Sequence, residues 1–190
     1  MEFYDVVEDR KSSRSYKPNP IENEKLYRIL ESLTFAPSWS CQNCLRVLMV
    51  DEGGLIKNIA GCVNEENPAQ EGLIEAPVVM VMCADPAGAE EIDSKEYYMC
   101  DCGIAMEHIM LAACSEGLAT CWIGLFDEHK VKSILEIPDN IRLVAISPLG
   151  YRNEAGGTKK KKKSIKDIAY YQKWDNELVF KKEDCLTTEE

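Results

Sequence analysis

The sequence predicts an interleaved α and β chain with buried central strands and one central buried helix. Two observations carry that expectation. Ala76 to Cys83 is an unbroken apolar run of strand length, the pattern of a strand covered on both faces. Asp101 to Glu116 is a long segment that is apolar almost all round and is stopped by Gly117. A helix of that composition has to be buried, in a core or in a subunit interface.

The other elements follow in order. Phe3, Val6 and Val7 form a short helical stripe within residues 2–9. Ser12 to Pro20 reads as a loop, because Pro18 and Pro20 each disfavour helix in the preceding residue. Leu26, Ile29, Leu30 and Leu33 stand at helical spacing within residues 22–35, and Ala36-Pro37 ends that helix. Leu45 to Val50 reads as a strand, Asp51 to Gly54 as its turn, and Leu55 to Val63 as a helix. Thr120 to Leu125 reads as a strand, Glu128 to Leu135 as a short helix, and Ile141 to Leu149 as a strand closed by Gly150.

The chain of 190 residues is sized for one ordinary domain, and its 45% hydrophobic residues can fill a core. No apolar run reaches the ~18 residues that a membrane helix requires. The first ten residues carry acids where a secretory signal would carry bases, so a cytoplasmic protein is expected. The nine cysteines are odd in number, and Cys62, Cys83, Cys114 and Cys121 sit within apolar stretches. They read as small buried hydrophobes in a reducing compartment. Cys41-x-x-Cys44 lacks a second pair with zinc spacing, so no metal is expected. A formal net charge of −11 argues against nucleic acid as a partner, since binding there needs cations to displace counterions from phosphates.

Within this acidic chain the bases are clustered. Arg10, Lys11, Ser12 and Arg14 place three cations and a hydroxyl within five residues, a set suited to clamping a phosphate because guanidinium forks bind it bidentately. A second basic run, Lys159 to Lys163, follows Gly156-Gly157. Either cluster taken alone reads sooner as a solvated face than as a phosphate site, because charge runs are mostly solvent faces. His108 reads as a hydrogen-bonded structural histidine, His129 as solvent-exposed, and Met99, Met106 and Met110 as core filler.

These pieces, in this order, resemble the nitroreductase family. Arg10-Lys11-Ser12-Ser13-Arg14-Ser15-Tyr16 is similar to its N-terminal basic element, and Ala36-Pro37-Ser38 to the end of the helix that follows. Glu75-Ala76-Pro77-Val78-Val79 matches its internal strand. Asp101 to His108, continuing through Gly117 to Asp127, is the closest stretch, and Pro148 to Tyr151 and Ile168 to Trp174 complete the pattern. The resemblance implies an α+β sandwich with a mainly antiparallel central sheet flanked by helices and a buried central helix. It implies an FMN-binding domain over residues 1–174 and a C-terminal extension, 175–190, that packs on a partner subunit and frays at its end. It further implies a homodimer that uses NAD(P)H in a ping-pong cycle to reduce a small organic acceptor such as a nitroaromatic or a quinone.

Residue by residue, the resemblance assigns Arg10, Lys11, Ser12 and Arg14 to the FMN phosphate and ribityl chain. It adds Lys160 and Lys162 as the late basic pair. Ile123, Gly124 and Leu125 would present backbone to the flavin ring, with Pro37, Ser38 and Trp39 reaching the same flavin from the partner. Gln70 aligns with a polar position near the pyrimidine edge. One departure stands out: where the family continues with asparagine, glutamine, proline and tryptophan, this chain has Cys41, Asn43, Cys44 and Leu45. Cys41 is a poor hydrogen-bonding replacement for the asparagine amide. Two other readings therefore stay open, a non-enzymatic FMN-binding, storage or sensing protein and a thiol-redox enzyme using Cys41 and Cys44. No side chain is expected to serve as a catalytic acid or base.

Overall fold

The computed structural model describes residues 2–39, 44–89, 91–153 and 164–179. In chain order the elements are α1 (Phe3–Asp9), α2 (Asn23–Ser32), β1 (Leu45–Val50), α3 (Gly53–Ala60), α4 (Gln70–Glu75), β2 (Val78–Ala84), β3 (Glu91–Ile92), β4 (Lys95–Glu96), α5 (Tyr97–Ser115), β5 (Ala119–Thr120), α6 (Glu128–Leu135) and β6 (Arg142–Gly150). Strands β1, β2, β6 and β5 form one sheet in that spatial order, and every pairing in it is antiparallel. This is the expected α+β class with a mainly antiparallel sheet.

β2 shows why an apolar run with no polar alternation can be a strand. All seven of its residues are buried. Val78, Met80, Met82 and Ala84 turn toward α5 and α2, where they join Tyr98, Cys102, Ala105, Met106, Ile109 and Ile29. Val79, Val81 and Cys83 turn the other way, into a second core with Ile56, Ile59, Leu73 and Val131 from α3, α4 and α6. The sheet is thus covered on both faces, and two-residue side-chain alternation assigns each β2 residue to one core or the other.

α5 is buried along one side, through Tyr98, Asp101, Cys102, Ala105, Met106, Ile109, Met110 and Ala113. Its other side is apolar but open in the protomer: Met99 is 47% exposed and Ile104 38%. Met99 is therefore not core filler, unlike Met106 and Met110. Phe3, Tyr4 and Val7 of α1 and Phe35 after α2 are also exposed. The helix starts four residues before the expected Asp101, at Tyr97, and ends as expected: Gly117 takes a left-handed φ of +75°, which glycine adopts without steric cost.

Two local expectations are corrected. Gly53 and Gly54 begin α3 rather than forming a turn, because the Glu52 carboxylate accepts from the N–H groups of Gly54 at 2.8 Å and Leu55 at 2.6 Å and so caps the helix. The segment Thr120 to Leu125 is a strand only as far as Thr120, after which Ile123 pairs singly with Ile146. α4 and the β3–β4 hairpin had no counterpart in the sequence pattern. His108 takes the structural role expected of it, its Nδ1 lying 3.0 Å from the Ser32 carbonyl, and His129 is exposed.

The chain divides into two compact units, Met1–Thr158 and Lys159–Glu190. In the second, a single helical turn at Ile165–Asp167 is capped by Ser164, and the rings of Tyr170 and Trp174 lie 5.1 Å apart. No described helix is long and apolar enough to cross a membrane.

Candidate functional site

The basic segment after α1 is held as a nearly extended strap. Ser12 bridges Thr120 in parallel fashion, and the Ser13 N–H donates to the Thr120 carbonyl at 2.9 Å. The Tyr16 N–H donates to Glu75 Oε2 at 2.8 Å, and the Lys17 N–H to the Tyr151 carbonyl at 2.8 Å. Ser13 and Tyr16 point inward and are buried, the Tyr16 hydroxyl donating to the Ser13 carbonyl at 2.8 Å. Burial pushes the Tyr16 phenol up and keeps it neutral. With these residues turned in, Arg10, Lys11, Ser12 and Arg14 remain half-buried, with water or a ligand within reach. Beneath the strap runs α4, and a Cβ on Gly72 would meet the Arg14 carbonyl oxygen at 2.7 Å. Glycine at 72 is what lets the helix and the strap touch.

The segment after β5 runs beside this strap. Cys121 is buried, and its thiol is raised by burial, an effect opposed by Arg14, by a hydrogen bond with Ser12 and by Arg10. Ser12, bridged to Thr120 and bonded to the Cys121 thiol, thus lies beside this segment, with Arg10 and Arg14 near enough to act on the same thiol. The Ile123 N–H and carbonyl both pair with Ile146 at 2.9 Å, which buries the Ile123 side chain and turns its neighbours outward. Trp122 is 41% exposed and Leu125 71%. A Cβ on Gly124 would lie 3.1 Å from the Trp122 indole nitrogen. The indole of this chain already occupies the side of Gly124 where a Cβ would project, which gives that glycine a packing reason of its own.

Pro37, Ser38 and Trp39 are anchored elsewhere, at the N-terminal part of α5. The Trp39 N–H donates to Asp101 Oδ1 at 2.9 Å, and its indole stacks on the Tyr97 ring with centroids 4.2 Å apart and planes 22° from parallel. On the far side of the residues that lie outside the description, the Cys44 thiol approaches Asp101 Oδ2 at 3.8 Å. One buried carboxylate thus ties down both flanks of the segment. From Asp101 to Cys114, which is near the basic strap, α5 runs about 20 Å at 1.5 Å per residue.

Gln70, the first residue of α4, donates from Nε2 to the carbonyls of Ala60 and Val63, both at 3.1 Å. Both amide hydrogens are engaged in closing the end of α3, which leaves the side-chain oxygen as the group that can meet a ligand. Cys41, Asn43, Lys160 and Lys162 lie outside the described residues. Cys44 is buried, and its thiol is raised by that burial and by the Asp101 carboxylate. Among the described residues no group of three or more potential ligands could hold a metal ion. The described cysteines are all free; Cys44, Cys62, Cys83, Cys102 and Cys121 are buried, Cys114 is half-buried, and Cys100 is exposed.

Two residues to which the sequence reading gave no role stand near these groups: Asp101, as anchor of the Trp39 segment, and Arg152, whose backbone bridges Tyr16 in the basic strap. Asp101 had a visible signal, a carboxylate within an otherwise apolar helical stretch. Arg152 had none beyond being a base in an acidic chain.

The donor set fits a flavin mononucleotide. Guanidinium groups and a hydroxyl converge beside an exposed backbone segment with a small residue, as binding a phosphate at one end and a planar ring at the other requires.

Residues 7–151 match the model of the nitroreductase family. A nitroreductase family protein of known structure from Clostridium novyi NT is 36% identical, with 93% of this chain and 97% of that chain covered and a TM-score of 0.79. A candidate NADH dehydrogenase/NAD(P)H nitroreductase from Methanothermobacter thermautotrophicus is 28% identical over 163 residues, covering 84% of this chain and 82% of its own. A structure described as an FMN-dependent nitroreductase from Clostridium difficile R20291 shares the fold at a TM-score of 0.74 and 24% identity, over 89% of this chain and 98% of its own.

Proposed function

The chain belongs to the nitroreductase family, and on that premise we propose that it is an FMN-dependent homodimer which takes electrons from NADH or NADPH and passes them to a small organic acceptor, nitroaromatic or quinone, in a ping-pong cycle. The observation that carries the reading is the bridge of Ser12 to Thr120, which lays the basic strap of Arg10 to Arg14 beside the outward-facing Trp122 to Leu125 segment. The neighbour described as FMN-dependent agrees with this cofactor.

When bound, FMN supplies the hydride and electron transfer, and the protein supplies binding, orientation and electrostatics. Arg10, Lys11 and Arg14 neutralise the phosphate, Ser12 adds a hydroxyl, and Lys160 and Lys162 complete the cation set. The backbone of Ile123, Gly124 and Leu125 carries the ring, while the Trp122 indole shields one flank of that backbone from water. Gln70 offers its side-chain oxygen to the pyrimidine edge. Pro37, Ser38 and Trp39, with Cys41 and Asn43, complete the site across a dimer interface. Their anchorage about 20 Å along α5 from the strap supports a contribution to the partner's flavin rather than to their own. The open apolar side of α5 supports the same dimer, since a face of this kind needs a partner. The C-terminal extension, 175–190, packs over the partner. The free cysteines suit the reducing cytoplasm.

The test is anaerobic titration of the flavin-loaded protein with NADH and with NADPH, followed by addition of a nitroaromatic or a quinone. Bleaching of the flavin band by a reduced nicotinamide and its return on adding the acceptor is the expected result. Tight flavin binding without reduction by either nicotinamide would leave a flavin carrier, and the enzyme reading would fall.

A further inference from the structure

Arg152 lies just past the end of β6, and its backbone bridges Tyr16 at the end of the basic strap. With Asp9, Cys114, Gly117, Leu118 and Ala119 it lines an open cleft of about 250 Å³. Its Nε is buried and has no hydrogen-bond partner among the described residues. A structural arginine ordinarily satisfies its buried N–H groups, and an unsatisfied one calls for an explanation. Asp9 stands in the same cleft and leaves this nitrogen unpaired.

The neighbours of Arg152 are mostly cations. Arg152, Arg10 and Lys11 all act on the Cys114 thiol, and Arg152 and Arg14 both act on the Tyr16 phenol. The acids facing this group are Asp9 in the cleft, Glu107, whose carboxylate lies 3.9 Å from Arg10 Nε, and Glu75, which accepts from the Tyr16 N–H. Four bases against three acids still reverses the balance in a chain of net charge −11. Like charges brought together at half-buried positions repel one another unless an anion lies among them.

We propose that Arg152 is a further anchor for the phosphate monoester of the bound cofactor, joining the 10–14 strap from the opposite end of the chain. The inference rests on the FMN reading above and adds to it a residue that the sequence pattern did not assign. Arg152 extends from β6, the most extensively paired strand of the sheet after β2, and so offers a rigidly mounted guanidinium to a site otherwise made by a loop.

The test is equilibrium dialysis of the full chain, wild type and Arg152→Gln, against FMN and against riboflavin, which shares the ring and lacks the phosphate. Losing a charge-assisted pair should weaken FMN about ten- to a hundredfold and leave riboflavin unchanged. Inorganic phosphate should compete with FMN in the wild type and less effectively in the variant. Equal losses for both flavins would show that Arg152 serves the fold, and unchanged FMN affinity would show that it faces no phosphate; either overturns the inference. Should Arg152→Gln not fold, Arg152→Lys decides the matter, because it keeps the charge and loses the fork: a selective loss for FMN supports the inference and none refutes it. A wild type that prefers FMN to riboflavin while Arg152→Gln changes nothing removes this inference alone. A wild type that binds neither flavin removes the FMN reading with it.

Discussion

Gly72→Ala is a sharp test of how the basic strap is held. The added Cβ would meet the Arg14 carbonyl oxygen at 2.7 Å, the Arg14 carbonyl carbon at 2.8 Å and its Cα at 3.1 Å. All three are backbone atoms, so no side-chain rotation can relieve the contact. The strap cannot readily move away, because Ser13, Tyr16 and Lys17 fix it through hydrogen bonds of 2.8–2.9 Å to Thr120, Glu75 and Tyr151. Overpacking of this kind costs roughly 1–3 kcal/mol. Alanine's helix propensity returns up to about 1 kcal/mol at a mid-helix glycine. The net is destabilisation of up to about 2 kcal/mol, equivalent to a fall in Tm of up to roughly 8 °C for a protein of this size. The FMN affinity should fall as well, since Arg14 is displaced with its backbone. Thermal melting and FMN titration, with Gly53→Ala as the control whose Cβ has nothing within 4 Å, read both effects. A Gly72→Ala protein that melts at or above the wild-type temperature and binds FMN unchanged would refute the claim that helix and strap are packed backbone to Cα.

Three further outcomes are expected. Ile104→Glu on the open side of α5 should leave the fold intact but dissociate the proposed dimer, because a carboxylate is cheap at a protomer surface and costly in an interface; sedimentation velocity that shows an unchanged dimer places the interface elsewhere. Cys44→Ser should retain NAD(P)H-driven turnover, since the buried, raised thiol is neutral at pH 7, whereas Cys100 should react with maleimide in the protomer; loss of turnover in Cys44→Ser would revive thiol chemistry. Burial pushes the Glu128 carboxyl up, but the Arg142 guanidinium, the Leu143 N–H and Lys132 outweigh it and hold it below the ordinary 4.5. The stability this contributes is present above that value and is lost as pH falls through the lowered one. Glu128→Gln should therefore flatten the acid limb of the Tm–pH curve, and an unchanged limb would contradict the assignment.

Much of the fold could be read from local pattern, and the failures have local causes too. β2 declared itself because a strand buried on both faces needs no polar alternation. α3 was started too late because two glycines resemble a turn until the Glu52 carboxylate is seen to cap them. α4 was missed because it is short, polar at its start and interrupted by a glycine whose reason is a contact 58 residues away with Arg14. The site divides in the same way. The Arg10 cluster was visible because its members are adjacent in sequence. The anchoring role of Asp101 was not, because it acts on Trp39, 62 residues distant. Arg152 acquires meaning only when β6 delivers it beside the strap, and Gly124 proved to make room for the chain's own Trp122 indole as well.

The central claim is that this protein carries FMN held by its phosphate, and the most direct measurement is the visible spectrum of the purified full-length chain after incubation with excess FMN and desalting. The account predicts an absorption band near ~450 nm at about one flavin per chain, released on denaturation as FMN rather than riboflavin or FAD. A colourless protein after that treatment, or equal retention of riboflavin, would contradict it.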